Sequence, residues 1–77
     1  MKTKIDIFVI NKVKEKRTNI GLSQLAIANE LGVSVGFIGK VESVKYPTHY
    51  NLKHLNDLAK ILNCSPQEFL PIKPFDI

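Results

Sequence analysis

The 77-residue chain has a single cysteine, Cys64, so an intramolecular disulfide is excluded, and this usage fits a reducing compartment. It has no apolar run near the ~18 residues needed to span a bilayer. Its N-terminus alternates Lys2, Lys4 and Asp6 with apolar residues and lacks the continuous apolar segment of a signal peptide. A soluble, cytoplasmic chain with no membrane partner is expected. Catalytic constellations are missing too. His49 and His54 stand five positions apart, off one helical face, and neither a cysteine pair nor a carboxylate cluster completes a metal site. Cys64 reads as a small core residue between two helices rather than as a nucleophile. No enzymatic activity, metal or cofactor is expected. There is no internal repeat or low-complexity segment.

The sequence holds enough apolar residues for one small domain over residues 1–77, near the lower limit of length for burying an adequate core. It is 44% hydrophobic and 23% charged, an ordinary globular balance. The net charge of +4 suits a polyanionic partner, although a basic surface kept for solubility would give the same number.

The most informative stretch is LSQLAIANELGVSVGFIGKVE, from Leu22 to Glu42. Ile27, Ala28 and Leu31 recur at the spacing of one buried helix face. Ser23 is placed to cap that helix, and Gly32 to end it in the left-handed conformation that glycine adopts without steric penalty. Val33 reads as a plug, Ser34 as a second N-cap, and Ile38 and Val41 as the inward face of a second helix. Two short helices joined by so tight a turn have the layout of a helix-turn-helix that reads DNA.

Gly21, Leu22, Ser23, Gln24, Ile27, Ala28, Leu31, Gly32, Val33, Ser34, Ile38, Lys40 and Glu42 stand at the spacing of the phage-repressor (Cro/XRE-type) helix-turn-helix family, which the chain resembles. The likeness continues upstream through VKEKRTNIGLSQ and downstream through LNDLAKILNCSPQEFL. It implies an all-α, five-helix, lambda-repressor-like domain. It also implies that Arg17 forms a bidentate ion pair with Glu42, tying the first helix to the third. Loss of either partner would leave the other charge buried, costing roughly 3–5 kcal/mol. Gln24 is implied to hydrogen-bond a DNA phosphate at a helix N-terminus, where free N–H groups favour anions.

The recognition helix, from Ser34 to about Ser43, should turn Val35, Gly36, Gly39 and Lys40 outward, with Phe37 at the margin. Lys40 is the sole side chain among these that can donate to a base edge. Val35 suits a thymine methyl, and Phe37 sugar–phosphate or a methyl. The glycines would permit close approach to the groove, and recognition would lean on shape. Two motifs in this helix are set aside. Gly36-Phe37-Ile38-Gly39 matches a bare GXXG, but lacks the flanking strands of an RNA-binding KH fold. Gly39-Lys40 lacks the hydroxyl residue, the first glycine and the strand of a P-loop.

Elsewhere, Thr3 is expected to cap a first helix running to about Thr18, with Phe8, Val9, Val13 and Ile5 inward and Ile20 packed into the core. Lys12, Lys14 and Lys16 form a solvated or phosphate-facing edge. The loop after helix three has Val44 where the family usually has glycine. Ser43, Lys45, Tyr46, Thr48 and His49 can hydrogen-bond phosphate there, while one of Tyr46 and Tyr50 packs the loop down. Asn51 should cap a fourth helix with Leu52, Leu55, Leu58, Ala59 and Leu62 in the core. Ser65-Pro66 should open a fifth helix, with Phe69 and Leu70 closing the core.

The tail, residues 72–77, keeps Ile72, Phe75 and Ile77 apolar, which suits a dimer contact or a fold-back onto its own domain. A homodimeric, double-stranded-DNA-binding transcriptional repressor follows from this reading. The alternative is an antitoxin or adaptor that uses Leu25, Val35 and Phe37 to hold a partner protein.

Overall fold

The computed structural model describes residues 1–76. Four α-helices follow one another: α1 (Lys4–Asn19), α2 (Gln24–Leu31), α3 (Val35–Glu42) and α4 (Leu52–Ile61). A single 3-10 turn, Pro66–Phe69, follows them, and there is no strand among the described residues. Ile77, the last residue of the expected dimer tail, lies outside the described residues.

Each element begins where a polar side chain takes up a backbone donor left free at a helix start. Thr3, Ser23, Ser34, Asn51 and Ser65 all accept such a hydrogen bond. Three of these starts are reciprocal capping boxes, completed by Asp6, His54 and Glu68. Residues with positive φ follow three of the helices: Gly21, Gly32 and Asn63.

The core is one cluster drawn from every element. Val9, Ile10 and Val13 come from α1, Ile27 and Ala28 from α2, Ile38 and Val41 from α3, and Leu55, Leu58 and Ala59 from α4, with Tyr50 and Phe69 completing it. Cys64 packs against it as a partly buried residue, and burial pushes its thiol pKa up.

Several sequence expectations are corrected here. The fifth helix is only the 3-10 turn, because Leu70 precedes Pro71 and is extended (φ −102°, ψ 148°), as proline demands of the residue before it. Ile10, not Phe8, joins Val9 and Val13 inside. Ile20 is 59% exposed: the left-handed turn at Gly21 brings Leu22 against the core instead. Ile5, Leu52 and Leu70, all expected inside, are at least 45% exposed. One cause covers these three. They line a cleft of about 170 Å³, open to solvent, between α1, the start of α4 and the segment after the 3-10 turn.

Candidate nucleic-acid interface

The α2–α3 corner is held by local chemistry. Gly32 takes the left-handed conformation (φ 77°, ψ 30°). Its N–H and that of Val33 both donate to the Ala28 carbonyl, at 2.9 and 3.0 Å. Two residues later Ser34 caps α3 through the Phe37 N–H, at 3.0 Å. With Ile38 and Val41 fully buried, the helical period sends the other face of α3 to solvent. Val35, Gly36 and Lys40 are exposed and Gly39 is partly so.

Behind this face lies a charged clamp. Arg17 donates from Nε to Glu42 Oε2 at 3.1 Å and from Nη2 to Oε1 at 3.0 Å. Its Nη1 donates to the Leu22 carbonyl at 2.7 Å. The side chains are only 8% and 4% exposed, so the pair is the bidentate, desolvated tie between α1 and α3 that the family resemblance implied. Gln24 joins it, donating from Nε2 to Glu42 Oε1 at 3.0 Å. In the free protein its amide therefore steadies the clamp and is not turned out to solvent.

A second support is aromatic. Phe37 meets the rings of Tyr50 and His54 at centroid distances of 6.3 and 5.1 Å. Tyr50 is the loop tyrosine that packs inward. Its hydroxyl is buried without a hydrogen-bond partner, and burial, with the Glu42 carboxylate adding to it, pushes the phenol pKa well up. His54 Nδ1 accepts the Asn51 N–H at 3.0 Å, so this nitrogen is unprotonated. Burial, followed by the charge of Lys53, holds its pKa below the ordinary histidine value.

The remaining expected residues fall around the exposed end of α3. Lys40 Nζ lies 5.6 Å above the Tyr46 ring. Ser43 Oγ accepts the Lys45 N–H at 3.2 Å. Lys45, Tyr46 and His49 are exposed and Thr48 is half-buried, with His49 Nδ1 held 3.1 Å from the Tyr50 carbonyl. Of the lysines on α1, Lys16 pairs with Glu68 at 2.9 Å and Lys12 lies over Phe8. Neither glycine of α3 is required by the fold. A Cβ at Gly36 would meet only Ser34 Oγ, and one at Gly39 only Gln24 Oε1, each at an ordinary 3.9 Å.

Two supporting residues escaped sequence reasoning. His54 was legible in principle, three residues after the Asn51 cap. Lys2, whose ammonium reaches the carbonyls of Lys40, Ser43 and Tyr46, had no local signal.

A helix-turn-helix family model matches residues 13–69, spanning α2, α3 and most of the core. The chain belongs to the Cro/XRE-type helix-turn-helix family and is a DNA-binding regulator of transcription. Among solved structures it is similar to the restriction-modification controller protein C.AhdI from Aeromonas hydrophila. The two share 28% identity with a TM-score of 0.71, over 83% of this chain and 94% of that one. Among curated proteins no match was found.

Proposed function

We propose that the protein is a cytoplasmic, homodimeric repressor that prefers particular sequences in double-stranded DNA. The observation that carries this reading is the exposed face of α3, where Val35, Gly36 and Lys40 face solvent over a buried clamp. Lys40 leaves the Tyr46 ring to donate to a base edge, and Val35 contacts a thymine methyl. The small side of α3 at Gly36 and Gly39 lets the backbone approach the groove. Ser34, Phe37, Ser43, Lys45, Tyr46, Thr48 and His49 line the surrounding contacts to sugar and phosphate. Gln24 reaches a phosphate from the start of α2 while remaining near Glu42.

A second copy of the chain is the proposed occupant of the apolar cleft bordered by Ile5, Leu52 and Leu70, with the tail from Ile72 as a further contact. Such a dimer would set two copies of α3 about one DNA turn apart, ~34 Å. The likeness to a controller protein supports the regulatory role.

The alternative of a protein-binding module is weakened by Phe37, whose ring is engaged by Tyr50 and His54. That leaves Leu25 and Val35, at 56% and 45% exposure, as the apolar surface near α3 for a partner protein.

The test is duplex binding by Lys40→Ala as a function of salt. Weaker binding with relaxed preference at one base pair is expected, together with the steep salt dependence of counterion release. Unchanged affinity and preference would refute this docking of α3.

A further inference from the structure

Helix α3 ends unlike the other helices. Left-handed residues follow α1, α2 and α4, at Gly21, Gly32 and Asn63, and such endings supply N–H donors to the last carbonyls of a helix. After α3 comes Ser43, which is extended (φ −93°, ψ 135°), and then Val44. The Ser43 N–H donates to the Lys40 carbonyl at 3.2 Å, and the carbonyls of Lys40, Ser43 and Tyr46 also converge on one ammonium from the N-terminal flank of α1. Lys2 Nζ donates to Lys40 O at 3.2 Å, to Tyr46 O at 2.6 Å and to Ser43 O. An ammonium carries three N–H donors and no acceptor, so three carbonyls satisfy it completely. It also sits at the C-terminal, negative end of the α3 macrodipole. Its backbone is fixed from the next residue on: Thr3 caps α1, and its N–H donates to Asp6 Oδ2 at 2.9 Å.

We infer that Lys2 is a positioning residue for DNA recognition, its ammonium tying the end of α3 to the loop that follows and setting that loop. This rests on the reading of α3 as the DNA-reading helix. The three carbonyls belong to residues whose side chains are proposed DNA contacts: Lys40 toward a base, Ser43 and Tyr46 toward phosphate. Holding them on one cation fixes the end of α3 relative to the phosphate-gripping loop before DNA arrives. A preorganised contact loses less freedom on binding. Lys2 thus acts on affinity through geometry, without touching the duplex.

The experiment uses the full chain and its Lys2→Met variant, which keeps an apolar stem of similar length and removes the charge. Backbone amide exchange of the free proteins is read at Ser43 and Lys45, whose N–H groups donate to the Lys40 carbonyl and to Ser43 Oγ. Binding to a duplex selected by the wild-type protein is then measured across a salt series. The expected result is loop exchange faster by about tenfold in the variant and affinity lower by about tenfold, the range for losing charge-assisted hydrogen bonds. The slope of log affinity against log salt should be unchanged. Equal exchange in the two proteins overturns the inference. So does a slope that falls by about one, since that marks a residue that neutralises a phosphate itself. Failure of the wild-type protein to bind any duplex is a separate result, which removes the DNA reading on which the inference rests.

Discussion

Replacing Gly36 and Gly39 by alanine should move stability and DNA binding in opposite directions. Both glycines lie inside α3, and neither has a positive φ, unlike Gly21 and Gly32. Glycine in a helix interior is less favourable than alanine by roughly 0.8–1.0 kcal/mol, because more backbone freedom is lost on folding. The added methyl group meets nothing closer than 3.9 Å at either site, so no steric term cancels the gain. Gly36 is in the first turn, where the gain is smaller; Gly39 should show most of it. For a domain of this size, 1 kcal/mol raises the Tm by roughly 4–8 °C. If the glycines are kept for close approach to the groove, the same methyl groups collide with DNA and binding falls. The assays are urea or thermal unfolding of Gly36→Ala, Gly39→Ala and the double variant, with duplex binding measured on the same preparations. More stable variants that bind DNA as well as the wild type would refute the close-approach argument. Destabilised variants would refute the helix argument.

Other outcomes follow from the supports behind α3. Glu42→Ala strands the buried Arg17 guanidinium and should lower stability by roughly 3–5 kcal/mol in urea unfolding, whereas Arg17→Met/Glu42→Leu should recover most of that loss; a single-variant loss under about 1 kcal/mol would contradict the clamp. Tyr50→Phe removes a buried hydroxyl that has no partner, so stability should hold or rise by up to about 1 kcal/mol, and a clear loss would reveal a hidden partner. His54 has a folded-state pKa below its ordinary value, by burial and then by Lys53, against Asp57, which raises it. The unfolded chain therefore binds the proton first as pH falls. The stability from neutral His54 is fully present above about pH 6.5 and declines below it, toward the folded-state pKa. Urea midpoints at pH 7.5 and 5.5 should differ less in His54→Gln than in the wild type.

The parts of this fold that were legible in the sequence are those set by neighbours along the chain. Ser23, Gly32, Ser34 and Asn51 act within a few residues of themselves, and each does in the structure what its type and position suggested. The Arg17–Glu42 pair, distant in sequence, was accessible only through the family resemblance. Helix phase was lost where the pattern carried none: Ile7-Phe8-Val9-Ile10 is apolar at every position, so the period could not choose Ile10 over Phe8. Leu52 and Leu70 fit a core stripe, but the elements that would cover them stop short and leave a cleft. Gln24 was placed correctly at the start of α2, while its bond to Glu42 depends on how α2 and α3 pack. Lys2 is the extreme case, since its partners lie at the far end of α3 and beyond.

Selection of bound sequences from a random duplex pool decides whether the exposed face of α3 reads DNA. A recurring two-fold symmetric motif is expected, with half-sites about one helical turn apart and binding that weakens steeply as salt rises. Failure to enrich any sequence, with no duplex binding even at low salt, would contradict it.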